Sequence, residues 1–219
     1  MFKFTFLGNM KNNITLLPII GRGVVNSQED VYTIYEDLFS SIIEKYSELK
    51  PSEIDLYTRA RNIFRCVGID PTKTRPSSES LIRRVLSKKE LWSVNKIVDL
   101  GNVCSIETGL PVGIYDIKKI AGNTIYIRQG KNGEEYEGIG RGDINLAKKP
   151  IFCDKKGPFG SPVSDSTRTS VHTKTKDFLF LFVAPREITK KEIMTLGLIA
   201  SRRFAEHCGG SIEILNMVK

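Results

Sequence analysis

The stretch Val98-Asp-Leu-Gly-Asn-Val-Cys-Ser-Ile-Glu-Thr-Gly-Leu-Pro-Val-Gly-Ile-Tyr-Asp116 divides the chain into a helical half and a mainly β half. The sequence predicts a helix from Val94 to about Thr108, which Gly109 and Pro111 then end. From that point onward, the local signals are typical of strands and turns. This stretch therefore decides the class of fold.

Downstream of it, the sequence predicts three strands, a helix and a last strand. Thr124–Arg128 alternates, Ile151–Cys153 is short, and Phe178–Ala184 is a continuous apolar run that favours a central strand. A helix capped by Thr189 follows and closes at Gly209-Gly210, before a final strand over Ile212–Val218.

Upstream, one strand precedes a series of helices. The apolar run Ile14–Ile20 is typical of a strand, and the presence of Pro18 in it indicates a strand near a sheet edge. Helices are predicted from Ser27 to Leu49, from Ser52 towards Val67, and from Pro76 or Ser77, with Glu79 in the first turn of the third. The class is α+β, a mixed β-sheet with packed helices. We expect one domain over residues 1–219, with a helical part at about 27–92, a core at about 72–183 and a C-terminal helix and strand at about 189–218.

The composition limits the partners of the chain. Its 219 residues carry 33 Lys and Arg against 25 Asp and Glu, a net charge of +8. This excess is compatible with a polyanion such as tRNA, although the scattered basic doublets also fit solvated faces. No apolar run has the length of a membrane span, and the N-terminus is too short and too polar for a secretory signal. We therefore expect a cytoplasmic protein without a membrane partner.

The sequence contains no motif typical of a metal or cofactor site. The four cysteines form no Cys-x-x-Cys pair, and only two histidines, His172 and His207, accompany them. Neither histidine stands beside a nucleophile in a known elbow motif. His172 would serve as a base only if the fold brought it to a pocket. The glycine clusters at residues 21–26 and 138–143 lack essential residues of nucleotide loops and are read as turns.

A second informative segment is Gly157-Pro-Phe-Gly-Ser-Pro-Val-Ser-Asp-Ser-Thr-Arg-Thr169. Its glycines allow a ligand to approach the backbone closely. Asp165 can accept from an α-ammonium group, and Arg168 can meet a phosphate or carboxylate with its planar guanidinium. The alternative is a polar turn whose Asp and Ser side chains cap their own backbone.

Taken together, the two segments resemble the editing domain of the bacterial phenylalanyl-tRNA synthetase β subunit, the B-three/four domain. The matching positions in the first segment are Val98, Asp99, Asn102, Glu107, Gly109, Pro111 and Asp116. The resemblance extends over about Thr72 to Val183, and it implies the α+β fold of that domain. Three positions depart from the pattern, because Tyr115 replaces a Phe, Gly101 replaces a Thr and Gly113 replaces a His. The sequence therefore predicts a roomier pocket without tyrosine specificity.

The resemblance implies hydrolysis of a mischarged aminoacyl-tRNA by a positioned water, with no metal or cofactor. The candidate catalytic residues are Asp165, Ser166, Arg168 and Thr169. The candidate substrate-binding residues are Asn95, Gly101, Asn102, Glu107, Gly113, Phe159, Gly160, Ser161 and Ser164. The partners implied are the aminoacylated 3′ end of tRNA and a free or esterified amino acid.

Two alternatives remain open at this point. Glu107 either orients a ligand or caps a neighbouring backbone. The whole chain is either a trans-editing hydrolase or a non-catalytic module that binds an amino acid or tRNA in the retained pocket. A third possibility is an esterase or amidase that acts on a small aminoacyl conjugate without tRNA.

Overall fold

The computed structural model describes residues 2–219 as an α+β fold. Within these residues the helices are α1 (Glu36–Tyr46), α2 (Asp55–Cys66), α3 (Ser77–Leu86), α4 (Lys96–Thr108) and α5 (Lys190–Cys208). The strands are β1 (Lys3–Phe6), β2 (Ile14–Arg22), β3 (Val112–Asp116), β4 (Thr124–Gln129), β5 (Glu135–Gly138), β6 (Gly142–Asn145), β7 (Pro150–Asp154), β8 (Gly157–Gly160), β9 (Phe178–Pro185) and β10 (Ser211–Ile214).

Strand β9 is the centre of the structure, as its apolar run predicts. It pairs with β2 on one side and β3 on the other, in an antiparallel sheet of order β10-β2-β9-β3. Phe178, Phe180 and Phe182 pack in the core shared with α4 and α5. The alternate residues, Leu179 and Leu181 among them, pack in a second core on the opposite face. Because successive side chains of a strand point to opposite faces, β9 serves both cores.

The second core lies against another sheet, of order β1-β4-β7-β8. In it β1 pairs with β4 in parallel, whereas β4–β7 and β7–β8 are antiparallel. Strands β5 and β6 form a separate antiparallel hairpin. The predicted α+β class with a mixed sheet is confirmed, and in the described residues the strands form two four-stranded sheets, of which the β1-containing one is mixed, and a hairpin.

The expectation that Pro18 marks an edge strand is wrong. Strand β2 is an inner strand, with β10 and β9 on its two sides. The Pro18 carbonyl accepts from the Leu215 N–H (2.9 Å), just after the short β10 ends at Ile214. Because N–H and C=O of one residue point to the same side of an antiparallel strand, the missing N–H faces this irregular C-terminal segment. The inner sheet therefore tolerates the proline.

The first helix also begins later than the predicted Ser27. A 3-10 turn at Tyr32–Tyr35 precedes α1, which starts at Glu36. Asp30 accepts a hydrogen bond from the Tyr32 N–H (2.8 Å), and Asn26 is bound to Asn95 (3.0 Å). These contacts hold the segment before α1 in a turn conformation that a helix would break.

Helix α4 matches its prediction closely. The Asn95 side chain accepts from the Val98 N–H (3.1 Å) at the start of the helix. Gly109 ends it with φ of 71°, a left-handed conformation that suits glycine. An added Cβ at Gly109 would also overlap the backbone of Leu56 in α2. None of the helices described in residues 2–219 combines the length and apolar character needed to cross a membrane.

Candidate functional site

The loop that follows β8, residues 161–166, is fixed by a small hydrogen-bond cluster. The Ser164 carbonyl accepts from the hydroxyl of Ser161 (2.9 Å) and from that of Tyr136 on β5 (2.6 Å). The Tyr136 hydroxyl also lies 3.1 Å from the Ser161 Oγ. The predicted residues Ser161 and Ser164 therefore shape the loop by binding each other.

Asp165 joins this loop to strand β3. Its Oδ1 accepts from the Tyr115 hydroxyl (2.8 Å), and its Oδ2 accepts from the Ile114 N–H (3.3 Å). Its own carbonyl accepts from the Ile139 N–H in the turn of the β5–β6 hairpin (3.0 Å). As a whole residue Asp165 is half-buried, whereas Tyr115 beside it is fully buried.

The Asp165 carboxyl has no cationic partner. None of the ion pairs in residues 2–219 includes it, and its protein donors are the hydroxyl and N–H groups named above. Burial raises the pKa of Asp165 to about 7, against a smaller lowering by the hydrogen bonds of Tyr115 and Ile114. The group can therefore change charge near neutral pH, and it can accept from an ammonium or a water.

The glycines around Asp165 make room for protein side chains. A Cβ added to Gly113 or to Gly160 would overlap the hydroxyl of Tyr115, and one added to Gly101 would overlap the end of Ile114. Phe159 packs edge to face on the Tyr115 ring, with centroids 4.8 Å apart. The space left by the glycines at 101 and 113 is thus filled by Ile114 and Tyr115, and the predicted enlargement of the pocket does not occur at these positions.

The other three candidate catalytic side chains are engaged within the protein. The Ser166 Oγ accepts from the Arg168 N–H (3.2 Å), and the buried Thr169 hydroxyl donates to the Phe159 carbonyl (3.4 Å). The Arg168 guanidinium makes a bidentate pair with Asp154, at 2.9 and 3.0 Å. Burial alone would raise the pKa of Asp154, but Arg168 and two backbone N–H groups bring it below its ordinary value. Arg168 therefore serves first to neutralise a buried carboxylate.

The three polar candidates on α4 lie apart from Asp165. Asn95 caps the helix, and Asn102 donates to the Tyr32 hydroxyl (2.9 Å). Glu107 makes an ion pair with Arg203 of α5 (2.6 Å). Their partners belong to α5, to the helix start and to the segment before α1, not to the loop after β8. Glu107 therefore caps no backbone group in the described residues, and its carboxylate is engaged by a guanidinium instead.

Sequence reasoning missed Tyr115, Tyr136 and Asp154 as parts of this region. Tyr115 lies inside the quoted 98–116 stretch and was a detectable signal, because a tyrosine there departs from the pattern. His172 lies beside Asp116 and Lys174, not beside Asp165. Its Nδ1 accepts from the Lys174 N–H (3.2 Å), and its Nε2 lies 3.6 Å from Asp116. In the described part of the chain, no three His, Cys, Asp or Glu side chains cluster as metal ligands do.

The chain is similar to known proteins over most of the region just described. Residues 59–206, more than half of the chain, match the family model described as the B3/4 domain. The Phenylalanine--tRNA ligase beta subunit of Neisseria meningitidis serogroup B is 26% identical over 113 residues, which cover 47% of this chain and 14% of that protein. The subunit of the same name from Blochmanniella floridana is 32% identical over 107 residues, covering 47% and 13%.

A solved structure is similar over a longer range. It is an N-terminal fragment of the phenylalanyl-tRNA synthetase β-subunit from Pyrococcus horikoshii, at 14% identity and a TM-score of 0.45. The alignment covers 95% of this chain and 49% of that one. The chain spans less than a quarter of the length of the curated relatives named above.

Proposed function

We propose that this chain, which belongs to the B3/4 domain family, hydrolyses the ester of a mischarged aminoacyl-tRNA. The observation that carries the proposal is the half-buried Asp165, whose carboxyl has a raised pKa and no cation beside it. It stands on a loop that Tyr136 and Ser161 hold rigid. The curated relatives are β subunits of phenylalanine–tRNA ligase, so an aminoacyl-tRNA is the natural substrate class to test.

The chemistry needed at such a site is modest. An aminoacyl ester is cleaved by water once the carbonyl, the water and the α-ammonium are held in register. Asp165 can accept from the α-ammonium, or from the attacking water in its ionised form. Tyr115 and the Ile114 N–H fix the two carboxyl oxygens, so the direction of the carboxyl is set before a ligand arrives. The reaction requires neither a protein nucleophile nor a metal.

The net charge and the thiols agree with this assignment. A charge of +8 favours association with a polyanion such as tRNA. All four cysteines are free, and we place the reaction in the cytoplasm, where thiols stay reduced.

A second candidate function is a module that binds an amino acid or tRNA without cleaving it. The engagement of Ser166, Arg168 and Thr169 within the protein favours it, because these side chains would otherwise be the polar groups nearest to a reacting ester.

Deacylation of a panel of aminoacyl-tRNAs distinguishes the two. We expect the wild type to release selected amino acids and Asp165→Asn to lose at least 100-fold in kcat/KM, about 2.7 kcal/mol of transition-state stabilisation. Asp37→Asn, an exposed carboxylate in the first turn of α1, is the matched control and should keep full activity. Binding of an amino acid without release from any tRNA would support the module instead. Equal rates on small aminoacyl esters and on tRNA would identify an esterase.

A further inference from the structure

A concave basic surface lies next to the Asp165 loop. Its volume is about 380 Å³, and its lining includes Lys73 and Arg75 before α3, Arg141 and Asp143 at the β5–β6 hairpin, Lys149, and Val163. Four of these residues are cationic and one is acidic. We call this surface the basic pocket.

The positive charge of the basic pocket is not neutralised within the protein. Among the described residues, the ion pairs within 4.0 Å include none of Lys73, Arg141 and Lys149. Arg75 approaches Glu79 only to 4.0 Å, and Glu79 is already held by Arg61 and Arg83. Lys149 is partly buried, and burial lowers its pKa. Such an ammonium gains more from an anionic ligand than an exposed one.

Helix α3 presents its N-terminal end to the same region. Arg75 and Ser80, which flank its first turn, both line the pocket. Pro76 precedes the helix and provides no side-chain cap, while the hydroxyls of Ser77 and Ser78 are buried without a hydrogen-bond partner. The Ser77 N–H at the helix start already donates to the Pro162 carbonyl (2.9 Å), and Glu79 stands in the first turn. The attraction of the pocket for an anion therefore comes from its four cations.

We infer that the basic pocket binds a backbone phosphate of an RNA strand whose 3′ end reaches Asp165. The inference rests on the proposed function, and it assigns a path to the RNA. Val163 of the pocket is two residues from Asp165, which limits their Cα separation to about 7 Å. Arg141 lies two residues after Ile139, whose N–H donates to the Asp165 carbonyl (3.0 Å). A nucleotide in the pocket is thus a near neighbour of a terminal nucleotide at the carboxyl.

The chemistry of the pocket selects a phosphodiester. Guanidinium and ammonium groups around a helix N-terminus match the charge and oxygens of a phosphate. Val163 and Ile144 are the apolar side chains in its lining, so a partner that buries a hydrophobic face is not favoured.

The first experiment measures the affinity of the full chain for unacylated tRNA as a function of salt concentration. The test variant is Arg141→Gln with Lys149→Gln. The matched control is Lys88→Gln with Lys89→Gln, which removes the same charge beyond the opposite end of α3, about 15 Å away along a ten-residue helix. We expect about tenfold weaker binding for the test variant, and a slope of log K against log salt that is smaller by about 0.7, because a single strand contributes roughly 0.7 per phosphate neutralised.

Two results would overturn the phosphate site. One is an unchanged slope in the test variant; the other is an equal loss in both double variants, which would assign the affinity to net charge alone. If the melting temperatures of the variants stay within about 2 °C of the wild type, unfolding is excluded as the cause of weaker binding. Single variants Arg141→Gln and Lys149→Gln keep the test possible if the double variant is unstable.

The second experiment separates the phosphate site from the proposed function. For the test variant, we expect a higher KM on aminoacyl-tRNA with kcat unchanged, and an unchanged rate on an aminoacyl methyl ester, which has no phosphate. If wild type and test variant deacylate tRNA with the same KM, the phosphate site is wrong and the hydrolase stands. If no ester is cleaved but the test variant loses tRNA affinity as above, the hydrolase is wrong and the phosphate site stands.

Discussion

Two carboxylates of this protein, Glu79 in α3 and Asp165 in the loop after β8, are treated in opposite ways. Glu79 is 1% exposed and accepts two hydrogen bonds from Arg61 (both 2.8 Å) and one from Arg83 (3.0 Å). Burial alone would raise the pKa of Glu79, but the two guanidinium groups bring it below its ordinary value. Its charge is therefore permanent at neutral pH and ties α3 to α2.

Asp165 receives hydrogen bonds from the neutral hydroxyl of Tyr115 and the N–H of Ile114, and its pKa rises to about 7. As a whole residue Asp165 is half-buried, whereas Glu79 is 1% exposed. The two carboxylates differ in their capacity to bind a ligand. A carboxylate fully satisfied by protein cations has nothing left for a ligand, and one held only by neutral donors still attracts an ammonium or a proton.

The largest effect should come from breaking the satisfied carboxylate. Glu79→Gln leaves two guanidinium groups facing a neutral amide at a buried position. We expect a loss of roughly 3 to 5 kcal/mol in the free energy of unfolding, measured by urea denaturation at pH 7. Glu90→Gln, an exposed change of the same chemistry, should cost less than 0.5 kcal/mol, an order-of-magnitude limit for surface positions. A loss below 1 kcal/mol at Glu79, on that same scale, would mean that the ion pairs contribute little.

The sequence predicted the elements whose signals are local. The run of apolar residues in β9 identified the central strand, and Thr189 and Gly209 marked the ends of α5. The predicted start of helix α1 is wrong because contacts of Asn26 with Asn95 and of Asp30 with Tyr32 hold the segment before it. Of these, the Asn26–Asn95 contact joins positions 69 residues apart, which no helical pattern reveals.

The same distinction applies to the candidate site. Asp165 stood out from the sequence because a polar cluster follows glycines. The partners in its cluster did not stand out, because Tyr115 is 50 residues away in the chain. Arg168, in turn, pairs with Asp154 at the end of β7. Residue type alone predicted a free guanidinium at Arg168. Only the fold shows the buried carboxylate that needs it.

The second largest effect concerns the packing that orients Asp165. In Gly160→Ala, the added methyl group would overlap the Tyr115 hydroxyl, and the buried ring has no space into which it can retreat. We expect a loss of about 2 to 3 kcal/mol in unfolding free energy together with a loss of deacylation, because the Tyr115–Asp165 hydrogen bond breaks. Gly140→Ala, in open space at φ of 67°, should cost only about 1 kcal/mol and leave activity intact. Full activity in Gly160→Ala would separate the Tyr115 position from function.

The third effect is a pH dependence of opposite sign at the two carboxyls. The folded pKa of Asp165 is raised, so the folded state binds more protons than the unfolded state between about pH 4 and 7. Stability from this group is present below pH 4 and falls by a few kcal/mol as the pH rises to about 7.

Glu79 behaves in the reverse way, because its folded pKa is lowered. Its contribution is present above about pH 4.5 and is lost as the pH falls through the folded pKa. Urea denaturation from pH 3 to 8 measures both. Relative to wild type, Asp165→Asn should lack the decline towards pH 7, and Glu79→Gln should lack the decline in acid. Parallel curves for wild type and Asp165→Asn would contradict the raised pKa.

The smallest effect is the most specific. The Tyr115 hydroxyl lowers the pKa of Asp165, so Tyr115→Phe should move the titration of Asp165 further upward and cost about 1 kcal/mol of stability. Tyr136→Phe removes a hydroxyl from the same loop, but that hydroxyl donates to the Ser164 carbonyl and not to Asp165. It should cost a similar free energy without moving the titration, which carboxyl NMR of the two variants would follow. Equal shifts in both would mean that general burial sets the pKa of Asp165. A shift in Tyr115→Phe alone would show that one hydrogen bond tunes a carboxyl that the rest of the fold leaves without a cation.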